Sequence, residues 1–153
     1  MLTRKLTSDD ASELLEFYRR LGPETREVYD PFPNIDHVVV ATHLLESEAG
    51  LHLSRALLEE DVIAGHSFVM RIVDRNPIFG IGVAAGYQGK GHGLRLASEV
   101  IGQFDRVSRS ALTLTVLKRN EPAVSMYRKL GFTVKAGHTF RTRHDSFVMV
   151  REP

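Results

Sequence analysis

A glycine-rich stretch in the middle of the chain, residues 80–96, constrains the fold more than any other part of the sequence. Its first part is an apolar, glycine-spaced run that is typical of a strand, and its last part has a helical pattern. Between them lies a loop with glycines at positions 86, 89, 91 and 93. A strand, a glycine-rich turn and a helix in this order bring free backbone N–H groups and the positive end of a helix dipole to one point. The stretch therefore predicts an anion site, with phosphate as the expected occupant.

The sequence before this stretch predicts helices followed by strands. A first helix ends at Gly22-Pro23, and its apolar residues at helical spacing are Ala11, Leu14, Leu15, Tyr18 and Leu21. A short second helix is predicted over residues 24–30, and a third, capped by Asn34, has an apolar face of Ile35, Val38, Val39, Thr42 and Leu45. Three runs joined by short turns, at 51–58, 62–73 and 78–85, predict an antiparallel meander with an interruption at Gly65.

The sequence after the glycine turn predicts a parallel strand pair. Residues 94–104 carry the apolar face of a helix, and residues 112–117 have a strong strand pattern. A strand, a helix and a strand in succession form a crossover, so the strands at 78–85 and 112–117 should be parallel neighbours. A further helix opens at Asn120-Glu121-Pro122 and ends at Gly131, and two final strands are predicted over 132–140 and 146–150. Without a repeat or linker, residues 1–153 are expected to form a single α/β (α+β) domain.

Composition narrows the functional classes. The 153 residues are 42% hydrophobic and 25% charged, with a net charge of +1, so we expect neither a nucleic-acid partner nor a membrane partner. Cysteine is absent, which excludes disulfides, thiolate metal sites and a cysteine nucleophile, and we expect no metal. The N-terminus lacks the apolar run of a signal peptide, and no run approaches the ~18 apolar residues of a membrane span. These features predict a cytoplasmic protein.

Two common phosphate-binding motifs do not fit the glycine turn. A Walker A loop needs serine or threonine after its lysine, but a glycine follows Lys90, and position 84 is not the glycine that such a loop requires. A dinucleotide-binding fingerprint can be laid only on Gly80, Gly82 and Ala85, which lie in the apolar strand instead of at a helix start. The turn must therefore belong to another class of phosphate site.

Two motifs in the second half of the chain resemble those of one enzyme family. Gln88-x-x-Gly91-x-Gly93, preceded by Val83 on the strand, resembles motif A of the GCN5-related N-acetyltransferase (GNAT) family. The pattern Asn120-x-x-Ala123-x-x-x-Tyr127-x-x-x-Gly131-Phe132 resembles motif B of that family. The resemblance is specific from about Gly80 to Phe132, whereas the first 75 residues match only in element order. It implies a mixed, mostly antiparallel central sheet with a parallel, splayed strand pair and flanking helices.

The resemblance also implies where acetyl-CoA lies. The cosubstrate would sit between the splayed strands, with its pyrophosphate on the turn formed by Gln88, Gly89, Lys90, Gly91, His92 and Gly93. Its pantetheine arm would pair with the backbone of Val83 and Ala84, and an N–H near Val83 would polarise the thioester carbonyl. Without the resemblance, Lys90 is a solvated loop lysine and His92 is a surface or packing histidine.

Two residues of the second motif are implied to act on the thioester end. Asn120 would lie near the pantetheine arm, although the same residue also suits an N-cap for the following helix. Tyr127 would be the general acid that protonates the departing sulfur, because a phenol with a pKa of about 10 is protonated at neutral pH. The alternative for Tyr127 is a core aromatic on the same helix face as Ala123 and Leu130.

The sequence departs from the family pattern in one respect. Many relatives carry a glutamate on the central strand that deprotonates the amine, but residues 78–85 contain no acid. Other candidates for a base are Glu27, Asp30, Asp36, His66, His138 and His144, and none of them is assigned. The absence of a strong base favours a less basic amine, since an α-amino group has a pKa near 8 and a lysine amine one near 10.4.

Taken with the family resemblance, the sequence predicts an acetyl-CoA-dependent N-acetyltransferase. The acetyl group would pass directly, within a ternary complex, to a primary amine of a small molecule or peptide. An acyl-CoA-binding or regulatory module without efficient transfer is the alternative, because a fold does not by itself fix a function. A transferase of longer acyl chains also remains open. The final strands could pair between two copies of the chain in a homodimer.

Overall fold

A single sheet with helices on both faces organises the structure. The computed structural model describes residues 1–28, 31, 32, 34–135 and 145–153, without the side chains of residues 24, 27 and 28. The strands are β1 (Leu2–Lys5), β2 (Leu53–Glu59), β3 (Val62–Met70), β4 (Ile78–Val83), β5 (Leu112–Leu117), β6 (Thr133–Val134) and β7 (Ser146–Arg151). The α-helices are α1 (Ala11–Arg20), α2 (Pro23–Val28), α3 (His37–Glu48), α4 (His92–Val107) and α5 (Glu121–Lys129).

The sheet topology confirms the predicted fold class. The seven strands lie in the order β1-β2-β3-β4-β5-β7-β6, and the neighbours are antiparallel except for β4 and β5. The meander of β2, β3 and β4 and the parallel crossover through α4 are both as predicted. Strands β4 and β5 share a single pair of register partners, Ile78 and Thr113. The two strands therefore meet at one end and part towards the other.

Two apolar clusters fill the two faces of the sheet. One packs α4 and α5 against residues such as Phe79, Ile81 and Leu114. The other packs α1 and α3 against β2 and β3, with Tyr18 and Phe32 among its members. None of the helices in the described part of the chain is long and apolar enough to cross a membrane.

A β-bulge in β3 lies at the predicted interruption. Leu57 pairs with Gly65 and Leu58 pairs with Ile63, so Ala64 is an extra residue in β3. An extra residue shifts the side-chain alternation by one position. His66 and Phe68 consequently point to the α1 and α3 face.

Strand β4 has almost no side chains on that same face. Gly80 lies opposite Phe68 and Gly82 lies opposite His66 in the register, and side chains of directly opposed residues share a face. A Cβ atom at Gly80 would come within 2.2 Å of the Phe68 Cζ atom. The Phe68 ring therefore occupies the space that a side chain on β4 would need.

Two details of the sequence prediction are wrong. Helix α3 is capped by Asp36, whose carboxylate accepts a hydrogen bond from the Val39 N–H at 2.8 Å, and not by Asn34. Its buried face is Val40, His43, Leu44 and Ser47, whereas Val38 and Leu45 of the predicted face are exposed. Helix α3 is apolar nearly all round, so periodicity could not select the face. The predicted strand over 132–140 is described only to residue 135, where β6 covers two residues, and its remainder lies outside the described residues.

A chain of buried polar side chains runs through the second cluster. The Tyr18 hydroxyl lies 2.7 Å from His66 Nδ1, and His66 Nε2 lies 2.7 Å from Ser54 Oγ. Ser54 Oγ in turn lies 3.2 Å from His43 Nε2. Burial lowers the pKa of His43 to about 3 and lowers the pKa of His66 well below its ordinary value, because a charged ring would lose its hydration. Both rings are therefore neutral at physiological pH.

The packing of Phe68 on Gly80 leads to a first prediction. Gly80→Ala should lower the free energy of unfolding by about 1–3 kcal/mol, since Phe68 is itself enclosed by Phe32 and His66 and cannot move freely. Urea unfolding measures this. Gly102→Ala is the matched control, because it lies within α4 and its Cβ would meet nothing within 4 Å, so it should be neutral or stabilising. Equal effects of the two substitutions would contradict the packing.

The buried histidines lead to a second prediction. A histidine whose folded pKa is lowered contributes stability above its unfolded pKa near 6.5 and loses it as pH falls below that value. Stability should therefore decline between about pH 7 and about pH 5, by at most about 1.4 kcal/mol per pH unit for each ring. Urea unfolding across this range should show a shallower decline for His43→Gln than for the exposed control His37→Gln. The same slope in wild type and in both variants would show that the buried histidines do not cause the decline.

Candidate functional site

The parting of β4 and β5 leaves backbone groups of β4 directed into a gap. Ala84 N–H donates to the Ala64 carbonyl of β3 at 2.9 Å, and Thr113 N–H of β5 donates to the Pro77 carbonyl at 3.1 Å. Polar backbone groups of alternate residues in a strand point to opposite neighbours. Ile81 and Val83 therefore direct their N–H and C=O groups towards β5. Among the described residues, β5 offers them no register partner beyond Thr113.

The glycine turn meets the open end of this gap. Gly89 and Gly91 have φ of +73° and +82°, a left-handed conformation that glycine adopts without strain. Gly91 is the N-cap of α4 and has no side chain to cap it, and a Cβ there would meet nothing within 4 Å. The first N–H groups of α4, at His92, Gly93 and Leu94, lack intrahelical acceptors by the geometry of a helix start. These N–H groups are open to the surface, and the anion site that the sequence predicts at this turn stays a prediction.

Side chains of the turn brace its backbone. Gln88 Nε2 donates to the Val83 carbonyl at 2.7 Å, and Lys90 Nζ donates to the Gly86 carbonyl at 3.3 Å. Ala84 has both backbone groups engaged, because its carbonyl also accepts from Tyr87 N–H at 2.9 Å. His92 is half-buried at the start of α4. Val83 N–H, by contrast, faces the gap.

Tyr127 lies in the first cluster below the gap. Its ring is 8% exposed and stands edge-on to Phe79, with centroids 6.2 Å apart, and close to Phe132, with centroids 5.9 Å apart. No hydrogen bond joins its hydroxyl to another described residue. Burial raises the pKa of the phenol above its ordinary value, because the phenolate would lose its hydration. Tyr127 is thus a core aromatic whose hydroxyl stays protonated.

Asn120 occupies the N-cap position of α5 without capping it through its side chain. Its backbone N–H donates to the Leu117 carbonyl at 3.0 Å, which holds the residue at the end of β5. Among the described residues, no group hydrogen-bonds to its amide side chain. The capping role is therefore confined to the backbone, and the amide remains available.

A second cavity opens on the α1 side of the same strand end. It measures about 400 Å³ and is lined by residues 20–23, Thr25, Ala84 and Ala85. Arg20 donates to the Glu13 carboxylate at 2.9 Å and to the Ile63 carbonyl at 3.2 Å. This cavity reaches β4 from the face opposite α4, so two ligands could approach the end of β4 from two sides.

A larger cavity lies elsewhere and does not coincide with the turn. It measures about 580 Å³ and lies between α5 and β7, with Lys118, Arg128 and Phe147 in its lining. Neither Val83 nor Gly91 lines it, so volume alone does not locate the site. Among the described residues, no group of three or more acidic or histidine side chains could hold a metal ion.

The structure describes the side chains of two of the six candidate bases. Asp36 caps α3, and His66 is fully buried beside Tyr18. The side chain of Glu27, together with Asp30, His138 and His144, lies outside the described residues. The sequence predicts Tyr18 as a core residue, and it lies in the buried cluster. No local signal indicates its contact with His66, 48 residues away.

Solved structures share this fold at low sequence identity. An acetyltransferase of the GNAT family from Streptococcus pneumoniae has a TM-score of 0.83 and 22% identity, covering 98% of this chain and 97% of its own. The PaiA N-acetyltransferase from Thermoplasma acidophilum, in complex with coenzyme A, has a TM-score of 0.82 and 19% identity, with coverage of 99% and 98%. A phosphinothricin acetyltransferase from Sinorhizobium meliloti, in complex with acetyl-CoA, has 0.76 and 19%, with coverage of 98% and 86%.

Sequence comparison gives the family directly. No curated protein sequence matches the chain significantly. A family model described as Acetyltransferase (GNAT) family matches residues 11–132, which include the glycine turn, the splayed strands and Tyr127. The match spans most of the 153 residues, and the sheet with its one parallel pair agrees with it. The chain therefore belongs to the GNAT acetyltransferase family.

Proposed function

We propose that this protein transfers the acetyl group of acetyl-CoA to a primary amine of a small molecule or peptide, directly within a ternary complex. The observation that carries the proposal is the junction between the gap beside Val83 and the uncapped start of α4 at Gly91. Two structural neighbours hold coenzyme A or acetyl-CoA. The second cavity, on the other face of β4, gives an amine a separate route of approach.

The turn suits the pyrophosphate of the cosubstrate. Backbone N–H groups at a helix start bind phosphate oxygens by hydrogen bonds and through the helix dipole. The empty space around Gly91 lets phosphate approach the backbone closely. Gln88, Gly89, Lys90, His92 and Gly93 complete this cradle, with Gln88 and Lys90 acting mainly through the backbone that they brace.

The gap suits the amide-bearing arm and the thioester. Bound acetyl-CoA supplies an activated acetyl group. Unpaired backbone groups along a strand need partners. Ile81 presents its N–H and C=O groups towards β5, and Val83 presents its N–H, while the Val83 carbonyl accepts from Gln88 Nε2. Because both backbone groups of Ala84 are engaged, we assign the pairing to Val83 and not to Ala84. Val83 N–H can stabilise negative charge that develops on the thioester oxygen, while the Asn120 amide contacts the arm.

Tyr127 is proposed as the general acid. Its raised pKa keeps the hydroxyl protonated at neutral pH, so it can deliver a proton to the leaving sulfur. Its enclosure by Phe79 and Phe132 fixes the ring in one orientation. A fixed, protonated donor suits the thiolate that departs when the amine attacks.

A second candidate function keeps the binding and removes the transfer. Gly80, Gly82 and Ala84 leave the amine-facing side of β4 without a carboxylate. This absence favours an acyl-CoA-binding or regulatory module. Tight binding of coenzyme A with no acetylated product from a broad amine panel would favour that function over transfer.

The open turn at Gly91 leads to a third prediction. Gly91→Ala should weaken coenzyme A binding by at least about tenfold, equal to about 1.4 kcal/mol, because the new Cβ stands where phosphate must approach. Gly50→Ala is the matched control, since Gly50 has φ of +84° and equally empty surroundings but lies between α3 and β2. Both variants should lose about 1 kcal/mol of folding stability. Calorimetric titration that finds equal affinities in both variants would remove the turn from the site.

The enclosed phenol leads to a fourth prediction. Tyr127→Phe should lower kcat by about 10²- to 10⁴-fold with little change in coenzyme A affinity, because only proton delivery is lost. Because the pKa of Tyr127 is raised, deprotonation of this phenol should lower the activity of the enzyme only above about pH 10. Tyr87→Phe, which loses only a hydroxyl bonded to Glu59, is the control in a thiol-release assay. An unchanged kcat in Tyr127→Phe would exclude the acid role.

A further inference from the structure

We propose that the acceptor is a small amine that also carries a carboxylate, such as an amino acid, and that Arg20 binds this carboxylate in the second cavity. The inference rests on the proposed acetyl transfer and names the class of its substrate. It assigns Arg20, the last residue of α1, as the residue that selects this class.

Arg20 gives the second cavity a positive charge. The other described residues that line the cavity are uncharged, and Thr25 is the one among them with a polar side chain. Among the described residues, no acidic side chain lines it. A fixed positive charge attracts a carboxylate and repels a second ammonium group. The lining therefore suits an aminocarboxylate better than a diamine.

Arg20 keeps hydrogen-bond donors available for a ligand. Its Nη2 atom donates both to Glu13 Oε1 at 2.9 Å and to the Ile63 carbonyl at 3.2 Å. A guanidinium also carries N–H groups at Nη1 and Nε, and no described residue accepts a hydrogen bond from these two atoms of Arg20. The side chain is 46% exposed. A carboxylate can therefore reach Nη1 or Nε and form a charge-assisted hydrogen bond there.

The bond to Ile63 holds the guanidinium near the end of β4. Ile63 lies two residues before Gly65, which is the register partner of Val83. Two residues of a strand span at most about 7 Å. Ala84, which follows Val83, also lines the second cavity. Arg20 can thus hold one end of a small molecule whose amine end reaches the thioester expected beside Val83.

Two acids near Arg20 are bonded to other donors as well. The Glu13 carboxylate also accepts from the Ile63 N–H at 3.2 Å, and the Glu59 carboxylate accepts from the Tyr87 hydroxyl. That hydrogen bond raises the pKa of Tyr87, and the positive charge of Arg20 opposes the rise. Neither acid lines the second cavity, so the charge presented to a ligand inside it is that of Arg20.

The size of the cavity favours a small substrate. Its volume of about 400 Å³ lies near the lower end of the range for small-molecule sites. The Thr25 hydroxyl lines the same cavity and can donate to the second oxygen of the carboxylate. In a long peptide the C-terminal carboxylate is remote from the reacting N-terminus. A site that binds both groups at once therefore selects a free amino acid over the terminus of a protein.

The test is steady-state acetylation of amino acids and their C-terminal amides, compared as matched pairs. The panel adds a diamine and a tetrapeptide with a free α-amino group. Wild type should use amino acids with a kcat/KM at least about tenfold higher than that of their amides, the diamine or the tetrapeptide, because a site that bonds a substrate group rejects the analogue that lacks it. Arg20→Gln should raise KM for the amino acids by about 10- to 100-fold. It should leave kcat/KM for the amides and the affinity for coenzyme A unchanged.

The neighbouring arginine provides the matched control. Arg19 forms an ion pair with Glu16 on the same helix at 3.1 Å but does not line the cavity, so Arg19→Gln should match wild type. Arg20→Lys should keep part of the preference for the acid, because it retains the charge but not the guanidinium geometry. If Arg20→Gln fails to fold, Arg20→Lys and the preference of wild type still decide the question.

The possible results separate this inference from the proposed function. An equal loss for acid and amide in Arg20→Gln, or a wild type that uses both equally well, would show that Arg20 does not bind a carboxylate and would overturn the inference. A tetrapeptide that is acetylated as well as the amino acids would overturn it too. In each of these cases acetyl transfer itself stands. If wild type acetylates no amine at all, the proposed function fails, and the inference fails with it.

Discussion

The single hydrogen-bonded contact between β4 and β5 is the constraint on which the site depends. Ile78 and Thr113 join the strands at one end, and β5 is fully paired with β7 on its other side. Beyond that contact, the β5-facing groups of Ile81 and the Val83 N–H have no partner on β5, which costs free energy unless a ligand satisfies them. The start of α4 adds further unpaired N–H groups at the same place. The fold thus places backbone groups without partners at the two points where an amide and a pyrophosphate are expected to bind.

On the opposite face of β4, side chains of β3 fill the space that the glycines of β4 leave. Gly80 and Gly82 carry no side chains, and their register partners Phe68 and His66 are large rings. The bulge at Ala64 is required for this packing, because without the extra residue His66 would point to the other face. A polar chain then runs from His66 to Tyr18 and His43 inside an aromatic cluster. Such a chain costs stability wherever a buried polar atom lacks a partner, and His43 Nδ1 has none among the described residues.

The sequence predicted what depends on local patterns. Helix α1 followed from apolar spacing, and the parallel pair followed from the order of strand, helix and strand. The turn at Gly91 was found because its left-handed conformation requires glycine. The α3 face was missed because His43 and Ser47 are buried by partners distant in the chain. Tyr18 lies in the buried cluster, as its spacing predicted, but its contact with His66 arises from tertiary packing and leaves no local signal.

Backbone amide NMR during titration with coenzyme A shows whether the cofactor binds at the gap and the glycine turn. The splayed strand and the uncapped helix start should bind the cofactor through their own N–H groups. The largest shifts are therefore expected at Val83 and at Gly91 to Leu94, with no change at Gly50. Shifts confined to the cavity between α5 and β7, near Ser125 and Phe147, with Val83 and the turn unchanged, would place the cofactor away from the turn.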